Sequence, residues 1–205
     1  MCRDGRVEVL APLKLKTAEI ERFVAEKHDW IELHRQAALQ NEALRKQFLP
    51  DYGDTVLVCG RSVLLQPGKR TELANSVLFI RDGRYIKAEI IKFYRGHLRS
   101  IVEEYIDIYA PLMGAKPERI SITGAKGSWG SCSGRRVCFS WRLCMARHEA
   151  IEYVVVHELA HISEKNHKPG FWDIVGRYIH DINDCKMQLK ELQKILKTQN
   201  WEETP

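Results

Sequence analysis

Apolar residues recur three and four apart over three long stretches of this chain, and between those stretches they alternate or cluster in short runs. The first stretch opens at Thr17, with Ile20, Phe23, Val24 and Ile31 on one side and Glu19 and Glu21 near the positive N-terminal end; it predicts a helix running to about Phe48, before Pro50. A short strand is predicted ahead of it, Val7 to Leu10. His28 and His34 are six residues apart and do not share a face, which makes them surface histidines. Next come β-favouring runs, Thr55 to Cys59, Ser62 to Leu65, Val77 to Ile80 and Arg84 to Ile86, separated by Gly60-Arg61, Pro67-Gly68 and Asp82-Gly83. They predict a small antiparallel sheet.

The second helical stretch is Lys87 to Met113, where Ile90, Phe93, Tyr94, His97, Leu98, Ile101, Val102, Tyr105 and Ile108 mark a core face. Lys92, Arg95 and Arg99 fall on its outer side as a solvated group. Gly114 and Pro117 end it, and Ile120 to Thr123 begins a strand. The Gly-rich segment GAKGSWGSC follows, permitting close backbone approach to a ligand. From Val137 to Met145 the alternation predicts one strand, with Val137, Phe139, Trp141, Leu143 and Met145 on one face and Cys138, Ser140, Arg142 and Cys144 on the other. The third stretch is Val154 to Phe171; a short helix to His180 and a last helix from about Asp184 to Thr198 complete the pattern, with fraying after Trp201. Helices and short strands in this order predict an α+β fold, helices packed on a small mostly antiparallel sheet.

The length, 205 residues, suits one domain, with an N-terminal helical and β-rich part (1–84) and a second part (85–205). No apolar run has the length of a bilayer span, and Met1 to Val9 is too charged for a signal peptide, so a soluble cytoplasmic protein is expected. Six cysteines without a C-x-x-C pair agree with a reducing compartment. Cys132, Cys138 and Cys144 are spaced by six but lack the close pairs of a metal cluster, and they are expected to be small buried thiols. The net charge of +5 is spread among acidic neighbours, so no dedicated nucleic-acid face is implied.

The chemistry is concentrated in VVVHELAHISEKNHKPGF, Val154 to Phe171. His157-Glu158-Leu159-Ala160-His161 has the H-E-x-x-H spacing, and about 100° of rotation per residue brings the two imidazoles to one helix face, a turn apart, where they can grip one metal ion. Glu158 sits at the edge of that face, placed to take a proton from a metal-activated water without ligating. Ile151, Val154, Val155 and Leu159 let the helix bury its other side, while Asn166, Pro169 and Gly170 supply stop signals. A catalytic zinc needs a third protein ligand. His167 can serve if the chain turns at Lys165-Asn166; Asp173, Asp181 and Asp184 are the competing donors on the segments beyond.

IEYVVVHELAHISEKNH, followed by FW and preceded by GSWGSCS and SWRL, resembles the YgjP-like metallopeptidase family, relatives of the SprT-like zincins. The match is most specific from Ile120 to Phe171 and weaker elsewhere, including a segment ending FVAEKHDWI. The resemblance implies a zincin-like fold, one zinc ion held by His157, His161 and His167, Glu158 as catalytic base, and peptide or unfolded protein as substrate. Ser128 stands where the family usually has Arg before Trp-Gly-Ser-Cys, and Arg147 where a Pro usually opens the active-site helix.

Lys126, Trp129 and Arg142 are candidates for touching substrate, with Arg142, Tyr178 and the amides around Trp129 as oxyanion donors. A nucleotide phosphohydrolase of the nucleoside triphosphate pyrophosphatase type is the second reading, since an activated water serves either centre and Lys126, Arg135, Arg136 and Arg142 could meet phosphate. The third is a non-catalytic, metal-stabilised binding module, against which the retained Glu158 speaks.

Overall fold

A two-residue hairpin sets the topology of the first sheet. The computed structural model describes residues 4–81 and 85–202. Four strands, β1 (Thr55–Val58), β2 (Arg61–Gly68), β3 (Glu72–Ala74) and β4 (Val77–Arg81), lie in the order β1-β2-β4-β3. Asn75 and Ser76 both take the left-handed conformation, with φ of 48° and 64°, and fold β4 straight back along β3. The returning strand enters between β3 and β2, so it runs parallel to β2, pairing Leu64 with Val77 and Leu65 with Leu78. The sheet is therefore mixed, not antiparallel throughout, and β3 is a strand that the hydrophobic pattern did not mark. Leu65, Leu78 and Ile80 are fully buried on one face. The expected turn Asp82-Gly83 and the start of the expected strand at Arg84 lie outside the described residues, and Ile86 opens a helix instead.

That helix, α3 (Ile86–Leu112), buries Ile90, Ile91, Tyr94, Leu98, Ile101, Val102, Ile106 and Ala110 at three- and four-residue intervals. Ile106 faces inward, whereas Ile108 is 47 % exposed. Arg95 was expected in a solvated group, yet its guanidinium donates to the Ile122 carbonyl at 3.1 Å; Arg99 pairs with Glu103.

A second, three-stranded sheet, β5 (Arg119–Thr123), β6 (Gly130–Ser133) and β7 (Arg136–Ser140), has the order β5-β7-β6, with β5 parallel and β6 antiparallel to β7. The strand expected from Val137 to Met145 stops at Ser140. There the backbone amide donates to Trp129 and the hydroxyl to Ala125, and Trp141–Met145 winds into a 3-10 turn with all five side chains buried. Alternation failed because the turn is buried on every side. Trp141 stacks on Tyr94 at 5.7 Å and meets Trp201 edge-on at 5.9 Å. Trp201 is only 3 % exposed, and Glu202 is ion-paired with Lys126, so fraying does not begin there; 203–205 lie outside the described residues.

The 3-10 turn leads into α4 (His148–Ser163), followed by α5 (Pro169–Gly176) and α6 (Ile182–Lys197). Pro169 and Gly170, expected as stop signals, open α5, with Pro at its first position, where no amide hydrogen is needed.

The chain divides into two compact units: Met1–Leu49 with Lys194–Asn200, and Pro50–Gln193 with Trp201–Pro205. In the first, the helix expected from Thr17 to Phe48 is broken into α1 (Thr17–Glu26) and α2 (His28–Gln47). Lys27 leaves helical geometry (φ −99°, ψ 9°), its amide shared between the Phe23 and Val24 carbonyls in a tightened last turn. Val7–Leu10 forms no strand and is exposed, for want of a partner strand.

The register of α3 is testable. Ile106→Ala should destabilise the protein by about 2–5 kcal/mol and Ile108→Ala by less than about 1 kcal/mol in chemical denaturation. The reverse order would mean that the helix is turned otherwise.

Candidate metal centre and cleft

α4 carries the H-E-x-x-H residues in its last turns, with Ala150, Ile151, Tyr153, Val154, Val155, Val156, Glu158, Leu159 and Ala160 buried. The helix is apolar on nearly every side because it lies against α3, β6 and α5. Arg147, the residue standing in for a Pro, is its N-cap with extended backbone.

The break that brings back the third histidine comes earlier than expected. Ser163 ends α4, and Glu164 is already extended (φ −118°, ψ 105°). No left-handed residue is used at Lys165 or Asn166. Asn166 instead accepts the Lys168 amide at 3.3 Å, shaping the loop that returns His167 to the other two imidazoles. One nitrogen from each of His157, His161 and His167 lies within 4.8 Å of the others. Among the described residues this is the one group able to hold a metal ion; Asp173, Asp181 and Asp184 do not join it. Asp181 and Asp184 instead help to form the first turn of α6, where the Asp184 amide donates to Asp181.

The second nitrogens of His157 and His161 have partners. His161 Nδ1 is 3.0 Å from the Glu164 carbonyl, which can only accept, so Nδ1 donates and Nε2 is the nitrogen left for a ligand. The Tyr153 hydroxyl stands 3.4 Å from His157 Nδ1, and His157 Nε2 and His167 Nε2 are 3.1 Å apart. Three nitrogens bound tetrahedrally at about 2.0–2.1 Å would stand ~3.3 Å from one another, so the donor set fits a zinc-sized ion. Burial, reinforced by the neighbouring imidazoles of His161 and His167, pulls the His157 pKa down to about 3, leaving a neutral ring. Fully buried Phe171 floors the cluster, its ring 4.5–4.8 Å from all three imidazoles. Trp172 stacks on His167 and donates its indole N–H to the His167 carbonyl at 3.1 Å.

Glu158 is only 5 % exposed, and its Oε2 is buried with no protein partner. Burial raises its carboxyl to about 7. Gly130, at the start of β6, lies directly against it: a Cβ there would stand 2.6 Å from Oε1 and 2.7 Å from Cγ. The Gly-rich segment was expected to approach a ligand; Gly130 approaches the glutamate.

A cleft of about 330 Å³ opens beside His157 and Glu158, lined also by Trp129, Gly130, Tyr153, Lys186, Leu189 and Lys190. Of the three residues expected to touch substrate, Trp129 lines it. Lys126 is instead paired with Glu202 at 2.8 Å, and Arg142 is turned toward the Gly124 and Ala125 carbonyls with its guanidinium over Trp141. The Tyr178 hydroxyl donates to Leu112. Arg135 pairs with Glu118, and neither it nor Arg136 lines the cleft. Residues the sequence reading did not single out are Gly130, Tyr153, Trp172, Lys186 and Lys190. Tyr153 was within reach of that reading, because it precedes His157 by one helical turn.

Among the described residues no helix is long and apolar enough to cross a membrane. No curated protein and no solved structure matches the chain. A family model described as "YgjP-like, metallopeptidase domain" matches residues 1–192, nearly the whole length. The chain belongs to the YgjP-like metallopeptidase family, which points to a metal-dependent peptidase.

Proposed function

We propose that the protein is a zinc-dependent peptidase in which His157, His161 and His167 hold one ion and Glu158 is the general base. The observation that carries this reading is the convergence of three imidazole nitrogens within 4.8 Å beside a buried carboxyl oxygen without a protein partner. An ion held by these three ligands would polarise a carbonyl oxygen and acidify water. Glu158 then takes the proton of the attacking water and delivers it to the leaving amine nitrogen as the C–N bond breaks. It has no ligating role in this scheme. Gly130 leaves free the space the carboxyl occupies, which any side chain at that position would take.

The substrate backbone would lie along β6. The central strand β7 is paired on both sides. β6 is the edge strand of its sheet and begins at the residue against Glu158, so an extended peptide added there would carry its scissile bond past the carboxyl group. The phosphohydrolase alternative relied on Lys126, Arg135, Arg136 and Arg142, and none of them lines the cleft.

Ligand assignment is checked by zinc content: purified His167→Ala should lose most of its metal and Asp173→Ala should keep it. Full zinc in the first with loss in the second would move the third ligand to Asp173. Glu158→Gln should fold and load metal normally while turnover of an unfolded protein substrate falls ~10²-fold or more. Activity equal to wild type at equal metal load would remove Glu158 from the mechanism. Phosphate or pyrophosphate release from nucleoside triphosphates that needs Glu158, with no peptide cleavage, would install the phosphohydrolase instead. Gly130→Ala pushes the carboxyl aside without touching a ligand, so kcat should drop about tenfold or more with zinc content unchanged; unchanged kcat would show that the contact is not needed.

A further inference from the structure

Away from the histidine cluster, the turn joining β1 to β2 holds a second reactive arrangement. It consists of Cys59 and Gly60, both with positive φ (48° and 75°), as two-residue hairpin turns require. Asn-Gly is the favoured pair for such a turn, and a cysteine in the left-handed region is strained, its Cβ crowding the backbone carbonyl. What holds it there is the 3-10 turn: the Cys59 amide donates to the Cys144 carbonyl at 2.8 Å and the Gly60 amide to Met145 at 3.1 Å. A Cβ on Gly60 would stand 2.3 Å from Arg147 Cγ, so the close docking needs this glycine.

The docking sets two thiols against each other beside an imidazole. Buried Cys144 lies across the 2.8 Å backbone bond from Cys59, and His97 Nε2 from α3 stands 3.8 Å from the Cys59 sulfur. We propose that Cys59 is an oxidant-sensitive modification site that reacts with hydroperoxides and then closes a reversible disulfide with Cys144. Cys59 is half-buried and reachable, whereas Cys144 is fully buried, so the first reaction falls on Cys59. The hydrogen bonds from Cys144 and then His97 hold the Cys59 thiol down near 5 despite its burial, which favours the nucleophilic thiolate.

The span is right for a bridge. The 2.8 Å hydrogen bond between the two backbones, extended at each end to Cα, bounds the Cα···Cα distance at ~6.7 Å. Disulfides bridge Cα separations of about 4.4–6.8 Å. In the first step the Cys59 thiolate attacks a peroxide oxygen: an S–O bond forms, the O–O bond breaks, and the leaving hydroxide takes up a proton as water. In the second, the Cys144 sulfur attacks the Cys59 sulfenic acid. An S–S bond forms, the S–O bond breaks, and the hydroxide leaves with the Cys144 proton as water. Two thiols lose two electrons, and hydrogen peroxide is reduced to two waters.

The test treats full-length, zinc-loaded protein with stoichiometric hydrogen peroxide, blocks remaining thiols with N-ethylmaleimide, and maps non-reduced peptides by mass spectrometry. The expected product is a Cys59–Cys144 linked peptide, abolished by dithiothreitol, and Cys144→Ser should yield dimedone-labelled Cys59 with no linked peptide. Before oxidation, iodoacetamide at mildly acidic pH should label Cys59 about tenfold faster than Cys132 or Cys138. A Cys132–Cys138 link in place of the expected one, or free Cys59 in protein oxidised elsewhere, would overturn the proposal. The wild-type peptide map decides this even if Cys144→Ser does not fold.

Discussion

A carboxyl group buried without a hydrogen-bond partner is costly, and the second unit of this protein is built to keep one in that state. Glu158 sits among apolar residues of α4, and the cost is lowest when the carboxyl is neutral, as its upward shift to about 7 reflects. The group also lines the cleft beside His157. Gly130 makes room for it, since any side chain at that position would occupy the space of the carboxylate. β6 and α4 can therefore pack closely only with this glycine, and the position of the carboxyl follows from that packing.

Much of the framework supports this one contact. β6 is held by β7, and β7 is anchored where Ser140 bonds to Trp129 and Ala125. Arg142 holds the Gly124 and Ala125 carbonyls from the 3-10 turn, so a cation expected near substrate supports the loop that leads to Trp129. The 3-10 turn in turn feeds directly into α4. The strand and the helix that meet at Glu158 are thus joined through a buried, hydrogen-bonded connection around Trp141.

The parts legible in the sequence are those governed by local periodicity. The inward face of α3 as far as Val102, the helical spacing of His157 and His161, and the mixed helix-and-strand composition follow from spacing alone, whereas beyond Val102 the face passes through Ile106 and not Ile108. What was not legible depends on contacts distant in sequence. The parallel pairing of β2 with β4 arises from a left-handed Asn75-Ser76 turn, and the end of β7 arises from hydrogen bonds to a loop more than ten residues earlier. The return of His167 needed a break, but residue type pointed to Asn166 where extended Glu164 provides it. Gly130 looked like one of several flexible glycines; its role appears only once β6 is laid against α4.

The central claim is that three histidines and no carboxylate form the metal centre. A crystal of the zinc-loaded protein measured on both sides of the zinc absorption edge tests it directly. One anomalous peak about 2.0–2.1 Å from a nitrogen of each of His157, His161 and His167, with Glu158 outside the ligand set, is the predicted result. A peak ligated by Glu158, or one displaced from the three imidazoles, would contradict the account.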